Sequence, residues 1–344
     1  MSVALDAMGG DHAPDEIVRG ALAAAPRMKG PLLLVGRPEA IRPLLPPNAP
    51  PNIEIVPASQ EVGMEEKPLD AYRKKKDSSL MVATRLVKDG RAGAMVSAGN
   101  TGAATAHALL SWRQVEGVHR PAIASWLPSA HGGFILLDAG ASPDIDPEHL
   151  VEFALMGRAY AQSVLGRRHA RVHLLNIGEE PGKGSAFAKA GYELLKPYSW
   201  FAGNIEGKTM FAEPCDVVVC EGFVGNITLK TAEGVAELMT NIIRDGVPKN
   251  PAVRPLYWPV KRVMTPLKKR MDYAEVGGSP LLGLNGVCII AHGRSNARAI
   301  ENAVLLAQSA LDGDLLGTIR RATAPGAGDD GPGPDATFGL PNAS

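Results

Sequence analysis

Val3-Ala4-Leu5-Asp6-Ala7-Met8-Gly9-Gly10-Asp11-His12 opens the chain and decides its fold class. A short apolar strand runs straight into two adjacent glycines, which let the backbone approach a ligand closely. Two aspartates and a histidine crowd the same turn. This is the layout of an α/β enzyme whose first strand ends at its active site. Three further strand ends, near Ser97, Glu221 and His292, repeat it with small residues and polar tips. Loops converging in this way suggest a pocket for a small anion and a longer organic group.

Outward from that stretch, short aliphatic runs alternate with helical patterns, the signature of parallel βαβ units. Strands are predicted at Val3–Leu5, Leu32–Val35, Ile53–Val56, Ala94–Ser97, Ala122–Trp126, Phe134–Asp138, Val172–Asn176, Asp216–Cys220 and Val287–Ala291. Helices are predicted at Asp15–Ala25, Ser79–Lys88, Thr101–Ser111, Pro147–Ser163, Lys189–Leu195, Ile227–Arg244 and Ala297–Ser309. The strands Ala122–Trp126 and Phe134–Asp138 follow each other closely and read as an antiparallel hairpin, which makes the sheet mixed. Pro38–Pro57, rich in proline, reads as surface loop or short helix around one strand. Residues 1–321 form one catalytic α/β unit, or two intimately joined lobes. From Ala322 to Ser344 apolar periodicity vanishes, and a disordered tail is expected.

The 344 residues carry 45% hydrophobic and 21% charged side chains, ordinary for a soluble globular protein. With 36 basic against 36 acidic residues, no long-range attraction to nucleic acid is implied. Cys215, Cys220 and Cys288 lie in or beside apolar runs and match no zinc spacing, so core packing in a reducing cytoplasm is expected. No secretory signal is read, and no apolar run approaches the roughly 20 residues of a spanning helix.

Chemistry gathers in the loops. Ala94–Ser97 leads into Ala98-Gly99-Asn100-Thr101-Gly102-Ala103, where unpaired N–H groups and a helix dipole suit a phosphate. A tight turn with Thr101 as helix cap explains the same residues. Upstream, Arg73, Lys74, Lys75 and Lys76 form either an anion clamp, a docking patch for an acidic protein, or a solvated face. Gly178-Glu179-Glu180-Pro181-Gly182-Lys183-Gly184 is not a P-loop, because the glycine spacing and the residue after the lysine are wrong. Lys183 between two glycines still has open access to a ligand. Asn226 and Lys230, four apart, share one helix face. His292 reads as an acid/base group or as a hydrogen-bonded strand end.

Several patterns are missing. There is no nucleophile elbow, no H-E-x-x-H and no G-x-G-x-x-G, so neither metal nor cofactor is expected. What remains suits a nucleophile that is already an anion, with catalysis by positioning and oxyanion stabilisation. Between about 246 and 272, Tyr257, Val260, Val263, Met264, Leu267 and Met271 recur at helical spacing among five basic residues. That reads as an amphipathic membrane-surface helix, or as a dimer or core-packing helix.

D-A-M-G-G-D at 6–11, R-K-K-K-D-S-S at 73–79, S-A-G-N-T-G-A at 97–103, L-L-N-I-G-E-E at 174–180, G-N-I-E-G at 203–207, G-F-V-G-N at 222–226 and G-G-S-P-L-L-G-L-N-G through A-H-G-R-S at 277–295 together resemble the bacterial phosphate acyltransferases of the PlsX type. The resemblance runs over roughly residues 1–320. It departs at Ser142, Glu221 and Ser279, where that family more often carries asparagine, aspartate and alanine. It implies a three-layer α/β/α sandwich with a mixed, mostly parallel sheet, like isocitrate and isopropylmalate dehydrogenases. It also implies a homodimer that transfers an acyl group from acyl-[acyl-carrier-protein] to inorganic phosphate for phospholipid (phosphatidic acid) synthesis. A cytoplasmic protein peripherally bound to the membrane, near a downstream glycerol-3-phosphate acyltransferase, follows from the same likeness.

With the loop chemistry, this sets the expected site. Catalysis falls to Lys183, Asn226 and Lys230. Substrate binding falls to Asp6, Gly9, Gly10, Asp11, Arg73, Ser97, Gly99, Asn100, Thr101, Gly102, His292 and Arg294. Phosphate, already largely dianionic, attacks the thioester directly without an acyl-enzyme. Rival readings are a phosphate acetyl- or butyryltransferase using coenzyme A thioesters, a dehydrogenase on the same fold, and a non-enzymatic membrane-surface scaffold.

Overall fold

A computed structural model describes residues 1–245 and 273–324. The first half runs β1 (Val3–Asp6), α1 (Asp15–Ala24), β2 (Leu32–Gly36), α2 (Pro38–Ile41), β3 (Ile53–Pro57), α3 (Pro68–Lys74), α4 (Ser79–Lys88), β4 (Ala94–Ser97) and α5 (Thr101–Trp112). Then come β5 (Ala122–Ile123), β6 (Ser125–Leu127), β7 (Phe134–Leu137), α6 (His149–Ser163), β8 (Val172–Asn176), α7 (Ala186–Leu195), β9 (Phe201–Glu206), α8 (Thr209–Ala212), β10 (Val217–Val219) and α9 (Gly222–Asp245). After the gap follow α10 (Tyr273–Val276), β11 (Ser279–Leu282), β12 (Val287–Ile290), α11 (Ala297–Asp312) and α12 (Leu315–Thr323).

The expected α/β class holds, with the strands distributed over two sheets. One has the order β3-β2-β1-β4-β12-β11-β5, the other β6-β7-β10-β8-β9. Pairing is parallel except around β11 and between β6 and β7, so both sheets are mostly parallel and mixed. The predicted hairpin is present, Ser125–Leu127 lying antiparallel to Phe134–Leu136. Its first strand, predicted as one unit, is divided. Ile123 pairs with Leu281 in the first sheet, while Ser125 pairs with Leu136 in the second.

Central strands are buried on both faces, which is why β1, β4, β7 and β12 read as continuous apolar runs. One buried cluster joins Val3 and Leu5 of β1 to Ile135 and Leu137 of β7 through Phe153 and Met156 of α6. Helix α1 turns Ile17, Val18, Ala21 and Ala24 inward and packs on α11. Gly20 makes that close approach possible: a Cβ there would lie 2.5 Å from Ile300 Cβ.

Several elements differ from expectation, among them the unpredicted short helices α3, α8 and α10. β11 carries Pro280, which cannot donate to a ladder and so argues against a strand; its carbonyl nevertheless accepts Ala124 N at 2.9 Å. β9 holds Gly203, Asn204 and a register shift, which hide its period. Helix α9 starts at Gly222, five residues before the predicted Ile227. The chain stays helical through Thr323, past the expected start of the tail at Ala322. Thr323 is buried and its hydroxyl donates to Glu116 O and Ile319 O. The rest of the expected tail, 325–344, and the amphipathic segment at 246–272 lie outside the described residues.

Candidate active site

Parallel pairing puts the ends of β1, β4 and β12 side by side, so their loops meet at one sheet edge. They meet backbone to backbone. A Cβ at Gly9 would stand 2.6 Å from Asp6 Oδ2 and 2.9 Å from Gly99 N. Gly10, at φ +113°, faces the carbonyls of Ala98 and Gly293, and Asp11 N donates to Gly293 O at 2.8 Å. Beneath this contact Asp6 is buried. It accepts Ser97 Oγ at 2.7 Å and Met8 N at 3.3 Å, and Ser97 Oγ accepts Gly99 N at 3.1 Å. Burial raises the Asp6 carboxyl above its ordinary range, with these hydrogen bonds opposing the rise. Asp6 and Ser97, expected to touch substrate, therefore act as the brace under the glycine loops. Asp11 and His12 are the exposed polar side chains of that turn.

Helix α5 begins at this edge. Its N-cap is Asn100, not Thr101: Asn100 Oδ1 accepts Ala103 N at 2.9 Å. Its Nδ2 donates to Met64 O at 2.7 Å and Glu66 O at 3.1 Å, pinning the 63–66 loop beside the cleft. That side chain, expected to bind substrate, has its amide nitrogen and oxygen both engaged by the scaffold. Thr101 and Gly102 are exposed, and as the first helical residues their N–H groups have no carbonyl one turn back. The N-terminus of this 12-residue helix directs its dipole and unpaired N–H groups to this edge, the features that suit an anion. Of the basic cluster, Lys75 bonds Glu66 and Glu61 O, whereas Arg73 is exposed on α3, which packs on α5.

On the far side of Gly293 lie His292 and Arg294. His292 Nδ1 accepts Arg294 N at 3.2 Å, which leaves the proton of a neutral ring on Nε2. Partial burial, then the charges of Lys230 and Arg294, hold its pKa below the usual imidazole range. Lys230, on α9, is near enough for its charge to be felt at His292. It is paired with Glu233 Oε2 at 2.8 Å.

The second sheet presents loops after β7, β10 and β8, which are parallel neighbours. Asn226 lies over the turn after β7, its Cβ and Cγ 3.3 Å from where a Gly140 Cβ would be. Glu221 Oε2 accepts Val224 N at 2.6 Å and so caps α9; burial raises its pKa. Lys183 is exposed in the loop after β8. Asn176 Nδ2 holds its carbonyl at 3.1 Å, and Asn204 Nδ2 holds Glu180 O at 3.0 Å. Lys183 thus shares an edge with Asn226, β8 and β10 being parallel neighbours.

The sequence reading missed Asp138, Gly140, Met64 and Glu66. A signal for the first was present: Leu5-Asp6-Ala7 recurs as Leu137-Asp138-Ala139, again at a strand end. Cys215, Cys220 and Cys288 are buried, as expected, and burial raises their thiol pKa values. Among the described residues one group could hold a metal, His119, His149 and Glu152. His119 Nδ1 pairs with Glu152 at 2.6 Å and His149 Nδ1 accepts Asp146 N at 2.9 Å, so both act as clasps for the start of α6. No described helix is long and apolar enough to cross a membrane.

Residues 1–316 match the model of a family described as fatty acid synthesis protein. A phosphate acyltransferase of Desulfitobacterium hafniense (strain DSM 10664 / DCB-2) is 47% identical over 325 residues, covering 93% of this chain and 97% of the relative. The phosphate acyltransferase of Heliobacterium modesticaldum is also 47% identical, over 324 residues, with the same 93% and 97% coverage. The fold is similar to that of a phosphotransacetylase from Streptococcus pyogenes, at TM-score 0.59 and 16% identity, covering 91% of this chain and 94% of that one. EutD phosphotransacetylase from Staphylococcus aureus aligns at TM-score 0.56 and 15% identity, covering 90% and 93%.

Proposed function

The chain belongs to the phosphate acyltransferase family, and we propose that it converts acyl-[acyl-carrier-protein] and inorganic phosphate to acyl phosphate and free carrier protein. The observation that carries this reading is the exposed N-terminus of α5 at the edge where the Gly9-Gly10 and Gly293 loops meet, with His292 and Arg294 flanking Gly293 and the Lys230 charge felt at His292. Backbone amides, a helix dipole and nearby cations are what a phosphate dianion needs. Arg73, Asp11 and His12 lie at the rim and complete the substrate edge.

Bound there, phosphate needs no strong base near neutral pH. One of its oxygens attacks the thioester carbon, forming the C–O bond and placing charge on the carbonyl oxygen. Lys183 and Asn226, on the facing edge, supply donors for that oxyanion, and Lys230 adds positive charge between the edges. Collapse breaks the C–S bond; the departing thiolate takes up the proton that acyl phosphate holds less tightly. No group of the chain forms a bond to the acyl carbon.

The acyl phosphate is the activated acyl donor of phospholipid (phosphatidic acid) synthesis in this reading, handed to a glycerol-3-phosphate acyltransferase. A homodimer and peripheral contact with the cytoplasmic membrane face belong to it too. Their support is the row Val235, Leu238, Met239 and Ile242 on α9, all half exposed or more.

Purified protein mixed with palmitoyl-[acyl-carrier-protein] and phosphate tests the proposal. Thioester loss that requires phosphate, with equal formation of hydroxylamine-reactive acyl phosphate, is expected. Reaction with acetyl-coenzyme A alone, or reduction of a nicotinamide, contradicts it.

A further inference from the structure

We propose that Asp138 is a positioning residue for acyl transfer, holding the Gly140 turn in place as the seat of the Asn226 side chain. The inference rests on the reading of Asn226 as part of the transfer site. Asp138 is fully buried, and its carboxylate accepts four backbone amides: Ile123 at 2.8 Å, Gly140 at 3.1 Å, Ala141 at 3.0 Å and Ser142 at 2.6 Å. Three of these donors are the turn itself. The fourth is on β5, in the other sheet. A single carboxylate therefore shapes the turn and ties it to a strand of the other sheet.

The start of α9 is built onto this unit. A Cβ at Gly222 would stand 2.6 Å from Asp138 Oδ2, and one at Gly225 would overlap Asp138 O. Gly222 N donates to Ser142 O at 3.0 Å, and Ser142 Oγ donates to Pro121 O at 2.8 Å, fastening the far end of the turn. Gly140 itself is exposed at φ +130°, with Asn226 Cβ and Cγ 3.3 Å from the place of its missing Cβ. Moving the turn moves Asn226.

Aspartate is required because all four partners are N–H donors; an asparagine would turn an NH2 against one oxygen's share of them. Being enclosed, Asp138 has no route to substrate. Its influence on the reaction has to pass through Asn226. Asp6 occupies the same strand-end place in the first sheet, but there Ser97 shares the bracing.

The test measures acyl phosphate formation by full-length wild type, Asp138→Asn, Gly140→Ala, Asn226→Ala and the doubles of the first two with Asn226→Ala, each checked for folding by circular dichroism. Asp138→Asn and Gly140→Ala are each expected to lower kcat by about 10- to 100-fold, the scale of a misplaced catalytic group, with phosphate KM within about twofold. In the Asn226→Ala background either change is expected to cost less than about threefold, because coupled residues are not additive. A cost undiminished in that background overturns the inference and leaves the site reading standing. Wild-type turnover by Asn226→Ala contradicts the site reading, and the inference falls with it. Should Asp138→Asn not fold, Gly140→Ala and its double decide alone, turnover within twofold of wild type being the overturning result.

Discussion

Ser97 Oγ lies 2.7 Å from Asp6 Oδ2 and donates to it, joining the ends of β4 and β1 underneath the glycine loops of the cleft. Replacing Ser97 by alanine leaves a buried carboxylate short of a donor and Gly99 N short of an acceptor. Unsatisfied buried groups of this kind cost about 1–3 kcal/mol. Ser97→Ala is expected to lower the urea midpoint and turnover together. Lost turnover at unchanged stability would place Ser97 against the substrate instead.

Asn100 separates the scaffold from the anion site. Asn100→Ala removes the α5 cap, at about 1 kcal/mol, and releases the 63–66 loop. Asn100→Asp keeps the capping oxygen but adds a negative charge at the α5 N-terminus proposed to hold phosphate. Phosphate KM is expected to rise more in the aspartate than in the alanine variant; both release the 63–66 loop, because an aspartate oxygen cannot donate to Met64 O and Glu66 O. Equal KM values would move the phosphate away from α5.

Lys183 is the exposed ammonium on the second sheet's edge. Losing an oxyanion donor typically costs about 10²–10³ in rate. Lys183→Ala is expected to lose that much kcat and to keep the wild-type melting temperature, since its ammonium holds nothing in place. Near-normal kcat removes it from the reaction.

His173 on β8 is buried with Nδ1 unpartnered, and burial lowers its pKa to about 4. The unfolded chain holds that proton from about pH 6.5 downward. Between 6.5 and 4 the unfolded state binds more protons, so stability is present above this window and is lost as pH falls through it. At about 1.4 kcal/mol per unit, the loss is at most about 3.5 kcal/mol. Urea unfolding at pH 7 and pH 4.5 is expected to show a smaller drop for His173→Gln than for wild type; equal drops contradict the burial argument.

Much of the cleft was legible because strand-end loops announce themselves locally. Gly9-Gly10, Gly99 to Gly102 and His292-Gly293-Arg294 are contiguous runs, and parallel pairing brings them together. What each side chain does was not legible. Asp6 and Asp11 look alike in sequence, but one is braced by Ser97, 91 residues away, and the other is exposed. Asn100 reads as a ligand group until Met64 and Glu66 are placed beside it. Asp138 shapes the Gly140 turn through backbone amides, so its mark in the sequence is only the Leu-Asp-Ala triplet it shares with the end of β1.

The central claim is that phosphate itself opens the thioester. Stoichiometric protein, mixed with acyl-[acyl-carrier-protein] without phosphate and examined by intact mass, tests it most directly. The account predicts an unmodified chain and an intact thioester, with carrier protein released only when phosphate is added. A chain heavier by one acyl group, with carrier protein already free, would contradict it.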